Sequence, residues 1–153
     1  MFTILNISDS DKHRQSVVDE YTKRLWKSIK ILNLKPSRNG TVQQIISADT
    51  QNIITHLSKF SDTQKILLSK EGKQLDTMGF AALVRNKDLE SRFSGAVFII
   101  GWPYWLDEPA LAKHIDNKIS FGAITLPHGL AKVTLLEQLY RIWTIEQGKS
   151  YHY

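Results

Sequence analysis

The sequence predicts an α/β fold in which helices flank a mostly parallel sheet. Short apolar runs of five or six residues alternate with longer segments whose apolar residues recur every three or four positions. The chain has 153 residues, 42% of them hydrophobic, and no linker-like stretch divides it. Strands that alternate with helices pair in parallel through right-handed crossovers, so we expect one such domain.

The first third of the chain predicts a strand, a helix and a second strand. The run FTILNI (2–7) is the first strand, and Asp9 or Asp11 is a candidate N-cap for the helix after it. The apolar face of that helix carries Val18, Tyr21, Leu25 and Ile29. The run KILNL (30–34) is the second strand, and the turn signal PSRNG ends it.

The middle of the chain repeats this order. Residues 41–60 predict a helix through Ile46, Ile53, Leu57 and Phe60. The run KILLS (65–69) predicts a strand, and a glycine-containing loop follows it. Asp76 or Thr77 then caps a helix whose apolar face carries Phe80, Leu83 and Val84.

The last third contains the clearest buried strand, AVFII (96–100). A short helix over 107–114 and a strand over 118–122 follow. A long helix spans 126–148, and Gly148 suits its C-terminal cap. Its apolar face is predicted to carry Leu130, Val133, Leu136, Tyr140 and Trp143.

Composition excludes several kinds of chemistry. The chain has no cysteine, so thiolate catalysis, disulfides and cysteine-bound zinc are excluded. The five histidines form no i, i+4 pair, and we expect no metal site. Neither a signal-peptide core nor a membrane-length apolar run is present, which predicts a soluble intracellular protein. The net charge of +5 permits a polyanionic partner such as RNA without requiring one.

Three segments lie where parallel sheets bind ligands, at the carboxyl ends of predicted strands. They are LLSKEG (67–72), IIGWPYW (99–105) and FGAITLPHG (121–129). Each also has a purely structural interpretation. The first is a surface turn, the second is a hydrophobic contact with another subunit, and the third is the start of a helix at Pro127.

Near the carboxyl terminus, Arg141 lies beside Tyr140 and Trp143 in an otherwise apolar helix. Tyr151 and His152 add a ring and an imidazole in the tail. Such aromatic groups stack on unpaired bases in RNA-binding proteins, although a frayed terminus is the ordinary expectation for a tail.

A specific resemblance is present in residues 124–153. A known family signature reads roughly T-L-P-H-x-L-x-R, then L-x-E-Q-x-Y-R-A-W and finally P-Y-H. In this region the chain has Thr125, Leu126, Pro127, His128, Leu130, Leu136, Glu137, Gln138, Tyr140, Arg141, Trp143, Tyr151 and His152. Upstream, Gly72 and Lys73 match the family's D-x-x-G-K segment. The chain therefore resembles the RlmH family of ribosomal RNA methyltransferases. These belong to the SPOUT class, an α/β fold with a deep trefoil knot near its carboxyl end.

The resemblance implies a single SPOUT methyltransferase domain over residues 1–153. It implies a cytoplasmic homodimer that uses S-adenosylmethionine to methylate N3 of a pseudouridine in 23S rRNA of the assembled ribosome. Matched residue by residue, it implies a donor site formed by Leu68, Gly101, Trp102, Gly122, Ala123, Ile124, Thr125, Leu126 and Pro127. It also implies catalytic roles for Arg141, Tyr151 and His152, with His152 as the base or Arg141 favouring the imidate, and with the tail acting across the dimer.

The chain departs from the family pattern in two places. Trp102 and Trp105 replace family glycines, and Ser69 replaces an acidic residue. An indole at Trp102 either swings away from the donor or fills the adenosine pocket. The alternative prediction is therefore a SPOUT homologue that binds the ribosome or rRNA without turning over the donor.

Overall fold

The computed structural model describes residues 1–9, 11–85, 94–101 and 106–149. This part of the chain forms one five-stranded sheet with the order β2-β1-β4-β3-β5, and every neighbouring pair is parallel. The strands are β1 (Phe2–Ile7), β2 (Ile29–Leu34), β3 (Gln64–Gln74), β4 (Ala96–Ile100) and β5 (Asn117–Ser120). The α-helices are α1 (Gln15–Leu25), α2 (Val42–Leu57), α3 (Thr77–Arg85), α4 (Glu108–Leu111) and α5 (His128–Glu146). The predicted α/β class is confirmed.

Helices cover both faces of the sheet because side chains alternate between the faces along each strand. Ile4 and Phe98 face a core that α1, α3 and α5 complete. Their neighbours Leu5, Val97 and Ile99 face a second core, which α2 and α4 complete. Every residue of β4 is buried, as expected for a strand covered on both sides.

Helix α1 begins later than the sequence predicts. Its N-cap residue is Arg14, so neither Asp9 nor Asp11 caps it. The Asp11 carboxylate instead accepts a hydrogen bond from Arg14 Nη1 at 2.7 Å. Ile29, assigned to the helix face, is the first residue of β2. The cap of α3 is confirmed, since Asp76 Oδ1 accepts from the Gly79 amide at 2.6 Å.

Strand β3 continues to Gln74, although the sequence predicted that it ends at Ser69. The extension was missed because its pairing contains a bulge. Leu68 and Lys73 both align with Ile119 of β5, so residues 69–72 form an excursion from the ladder. The residues of such a bulge often have the composition of a loop, as residues 69–72 do here.

Helix α5 buries a different face from the one predicted. Of the five residues assigned to its core face, Leu136 is fully buried, while Leu130 is 41% exposed. The innermost apolar side chains are Leu135, Leu136, Leu139 and Ile142. The helix packs against α1, α3 and β4, and its apolar residues spread over a wider arc than the buried face, so periodicity alone does not fix its orientation.

The predicted trefoil knot does not follow from strand order, and it stays a prediction. Within the described ranges, no helix is both long enough and apolar enough to cross a bilayer.

Candidate functional site

A cavity of about 330 Å³ opens at the carboxyl ends of β3, β4 and β5. All three segments predicted from strand ends contribute to it, and we call it the strand-end cavity. Its wall comes from β3 and its bulge (67–70), the end of β4, Leu106, Glu108, the β5–α5 segment and the first turn of α5. The carboxyl ends of parallel strands meet at one edge of a sheet, so distant segments converge there.

Most of the predicted donor-site residues lie in this wall, namely Leu68, Gly101, Gly122, Ile124, Thr125, Leu126 and Pro127. Ala123 lies in the same β5–α5 segment but is exposed and does not line the cavity. Trp102 lies outside the described residues, as do Trp105, Tyr151 and His152. The choice between a Trp102 ring that leaves the cavity and one that fills it therefore stays open.

Two glycines of the wall differ in the space around them. A Cβ at Gly101 would lie 3.1 Å from Leu106 Cγ, so the end of β4 packs tightly. Gly122 has a φ of +126°, which residues other than glycine rarely adopt. No atom lies within 4 Å of the position that its Cβ would occupy. The Ser120 hydroxyl binds both the amide and the carbonyl of Gly122 and closes this turn.

Sequence reasoning did not find a polar cluster whose members Ser69 and Glu108 line the cavity. Glu108 accepts hydrogen bonds from Ser69 Oγ at 2.5 Å and from Lys118 Nζ at 2.6 Å. The three side chains, with Lys118 as the third, come from β3, α4 and β5. The carboxylate of Glu108 thus lies against Ser69, the position where the resemblance implies an acidic residue.

His128 lies in the wall at the first residue of α5. Burial lowers the pKa of His128 below its ordinary value of 6.5, and the positive charge of Lys132 lowers it further. The imidazole is therefore mainly neutral at pH 7.

Behind His128, Lys132 is only 5% exposed, and burial lowers its pKa. The charge of Asp11 opposes that shift, while a hydrogen bond from Arg14 lowers the pKa of Asp11. Gly129 permits this arrangement, because a Cβ there would overlap Asp11 Oδ2.

Comparison with known proteins identifies the family. A sequence profile described as "Predicted SPOUT methyltransferase" matches residues 2–152. The chain is 34% identical over 148 residues to Ribosomal RNA large subunit methyltransferase H of Streptococcus agalactiae, covering 93% of this chain and 92% of the relative. It is 35% identical over 143 residues to the protein of the same name from Saccharophagus degradans, covering 90% and 89%. This chain belongs to the RlmH family of SPOUT methyltransferases.

The fold of this chain is also similar to that of a solved structure. A crystal structure from Bacillus anthracis superimposes with a TM-score of 0.59, covering 93% of this chain and 94% of the other at 11% identity. At that identity the likeness shows the fold alone. The parallel sheet with helices on both faces is therefore the fold of this RlmH-family chain.

Arg141, the remaining predicted catalytic residue, lies far from the cavity within one chain. It is thirteen residues beyond His128 in α5, which is about 20 Å along the helix axis. Its Nη2 atom lies 2.7 Å from Oε1 of Glu137, one turn earlier in the helix. The single chain thus brings the donor segments together and keeps Arg141 apart from them.

The members of the Ser69 cluster were missed because no short motif joins them. Glu108 and Ser69 are 39 positions apart in sequence. The available signal was a polar residue in each of two neighbouring strands, Ser69 in β3 and Lys118 in β5. Glu108 comes from the helix between strands, and only the folded chain brings it to the cavity.

Proposed function

We propose that this chain methylates N3 of a pseudouridine in 23S rRNA of the large ribosomal subunit and uses S-adenosylmethionine as the methyl donor. The observation that carries the proposal is the convergence of three separate segments on one cavity, in a chain of the RlmH family. The names of its relatives support rRNA of the large subunit as the substrate. The proposal treats residues 1–153 as one catalytic domain acting in the cytoplasm.

The strand-end cavity fits an adenosyl donor in size and chemistry. Its volume of about 330 Å³ lies in the range of small-molecule sites. Leu68, Ile100, Leu106 and Leu126 offer apolar walls suited to an adenine ring. Gly122 lines the cavity and leaves the space beside its Cα free of side chain.

We assign donor binding to Leu68, Gly101 and the segment 122–127, with Trp102 at the adjoining position of the family motif. When bound, the sulfonium supplies an electrophilic methyl group. The chain has to hold that methyl in line with N3 of the base, so positioning provides much of the acceleration. The apolar walls also exclude water from the reacting atoms.

The acceptor nitrogen carries an imide proton that has to leave before or during attack. We assign its removal to His152, because histidine is the side chain that most often acts as a general base. The positive charge of Arg141 stabilises the imidate form of the acceptor, and Tyr151 orients the target nucleobase. A neutral His128 at the cavity wall adds no cation beside the sulfonium.

The distance of Arg141 from the cavity supports a homodimer. About 20 Å of helix separates Arg141 from the turn that lines the cavity, so it serves the cavity of a second copy rather than its own. The tail would cross in the same way. The net charge of +5 favours approach to the ribosome, which is a polyanion.

Two measurements test the proposal. Titration of S-adenosylmethionine by isothermal calorimetry should show saturable binding. Incubation with large subunits and labelled donor, followed by mass spectrometric mapping, should place one methyl at N3 of a pseudouridine. A folded protein that binds ribosomes but gives a flat donor titration would support the alternative of a homologue without turnover. A methyl mapped elsewhere would refute the proposed target.

A further inference from the structure

Ser69 and Glu108 line the strand-end cavity, and Lys118 forms an ion pair with Glu108. Polar side chains in the wall of an otherwise apolar cavity fix the orientation of a ligand. From this cluster, and resting on the proposed function, we infer that Glu108 binds the ribose hydroxyls of the methyl donor.

The position of Glu108 suits this role. It supplies the carboxylate among the described residues that line the strand-end cavity. Its side chain is 26% exposed and therefore accessible to a ligand. A ribose presents two hydroxyl donors, and burying them against apolar walls without an acceptor would be unfavourable. A carboxylate is the acceptor that can serve both.

The geometry of Glu108 is fixed before any ligand arrives. The Ser69 hydroxyl donates to Oε1 and the Lys118 ammonium donates to Oε2. A carboxylate has about four lone-pair sites, so two remain for the ribose. A carboxylate whose orientation is already set loses little entropy on binding.

The backbone that carries Glu108 is anchored as well. The preceding residue, Asp107, caps α4 by accepting from the Ala110 amide at 3.0 Å. The Asp107 amide donates to Thr50 Oγ1 of α2 at 2.9 Å. Helix α4 therefore holds Glu108 from the second core, independently of the cluster.

The ion pair explains why hydroxyls, rather than the sulfonium, are the target. Lys118 Nζ lies 2.6 Å from Glu108 Oε2 and offsets the negative charge. A paired carboxylate attracts a ligand cation weakly but still accepts hydrogen bonds. Glu108 should therefore contribute equally to the binding of S-adenosylmethionine and of its product S-adenosylhomocysteine, which lacks the sulfonium charge.

The test is calorimetry of Glu108→Gln with S-adenosylmethionine, S-adenosylhomocysteine and 2′- and 3′-deoxy forms of the latter. We expect a loss of roughly 10- to 100-fold in affinity for the two parent compounds, equal for both. The wild type should discriminate against at least one deoxy form, and the variant should do so much less. Glu20→Gln is the control, because it removes a carboxylate paired with Arg24 on the surface of α1.

The possible results separate the ribose assignment from the proposed function. Unchanged affinity in Glu108→Gln, or a loss confined to S-adenosylmethionine, would overturn the ribose assignment while the donor site stands. A wild type that binds neither parent compound would overturn both. Lys118→Met is a second variant that keeps the proposal testable if Glu108→Gln does not fold. It keeps the Glu108 carboxylate and removes the lysine charge that offsets it. That variant should favour S-adenosylmethionine over S-adenosylhomocysteine more than the wild type does.

Discussion

The backbone of Ile119 occupies the space where a side chain at Gly72 would stand. A Cβ built on Gly72 overlaps the backbone of Ile119, including its Cα at 2.6 Å. Gly72 ends the bulge through which β3 resumes pairing with β5, and the same bulge carries Ser69 into the cavity wall. Gly72 thus has a packing role that accounts for a glycine at this position.

The first prediction concerns this contact. Gly72→Ala should destabilise the protein by about 1–3 kcal/mol, because backbone cannot move aside as a flexible side chain can. Urea denaturation would measure the loss. Gly79→Ala is the matched control, since Gly79 lies in α3 and its Cβ would meet Asp76 Oδ1 at 3.1 Å. Equal stability of Gly72→Ala and wild type would show that the two strands do not approach so closely.

Gly122 gives the second prediction. Gly122→Ala should weaken S-adenosylmethionine binding, because its φ of +126° is strained for alanine and Gly122 lines the cavity. Calorimetry would measure the affinity. Gly148→Ala, with a φ of +65° and equally open surroundings, strains the backbone far from the cavity and should bind as the wild type does. Equal losses in the two variants would contradict a local effect.

The third prediction follows from His128. Its pKa is lowered in the folded protein, so the unfolded chain takes up a proton first as pH falls through about 6.5. Stability from this residue is therefore complete above that pH and is lost as pH falls toward the folded pKa. Between pH 7.5 and 5.5 the wild type should lose more free energy of unfolding than His128→Gln, by at most about 1.4 kcal/mol per pH unit. Parallel pH profiles for the two proteins would contradict the assignment.

Asp11 and Lys132 give the fourth prediction. Asp11→Asn should cost about 1–3 kcal/mol, because it removes the negative charge beside a buried lysine. Lys132→Met in the same chain should restore part of that loss, and a double-mutant cycle would measure the coupling. Asp19→Asn is the control on α1, where the carboxylate accepts an exposed hydrogen bond from Gln15. Additive effects of the two core changes would show that the charges do not interact.

The fifth prediction tests the homodimer. Arg141→Ala and Gly122→Leu should each be nearly inactive in methyl transfer, for different reasons. If Arg141 serves the partner's cavity, refolding the two variants together in equal amounts should restore about a quarter of wild-type activity. Half of the dimers are then mixed, and each mixed dimer has one intact site of two. Activity that stays at the level of the separate variants would place Arg141 in its own chain's site or outside the chemistry.

The sequence alone determined the α/β class and the place of the cavity. Five apolar runs separated by helical periodicities lead to a parallel sheet, and the carboxyl ends of its strands meet at one edge. For that reason, the positions of the strands along the chain predict that the segments containing Leu68, Gly101 and Gly122 lie at one edge of the sheet. Strand β4 was predicted to the residue, because an apolar run buried on both faces has sharp limits.

Tertiary structure alone decided three other features. The orientation of α5 depends on which part of its broad apolar arc the neighbouring elements cover, so Leu135 and Leu139 were not distinguished from Leu130 and Val133. The bulge in β3 depends on Ile119, a residue far along the chain. The carboxylate in the cavity wall is the third feature. Glu108 reaches Ser69 and Lys118 only when α4 packs against the sheet edge, a long-range arrangement that no local pattern encodes.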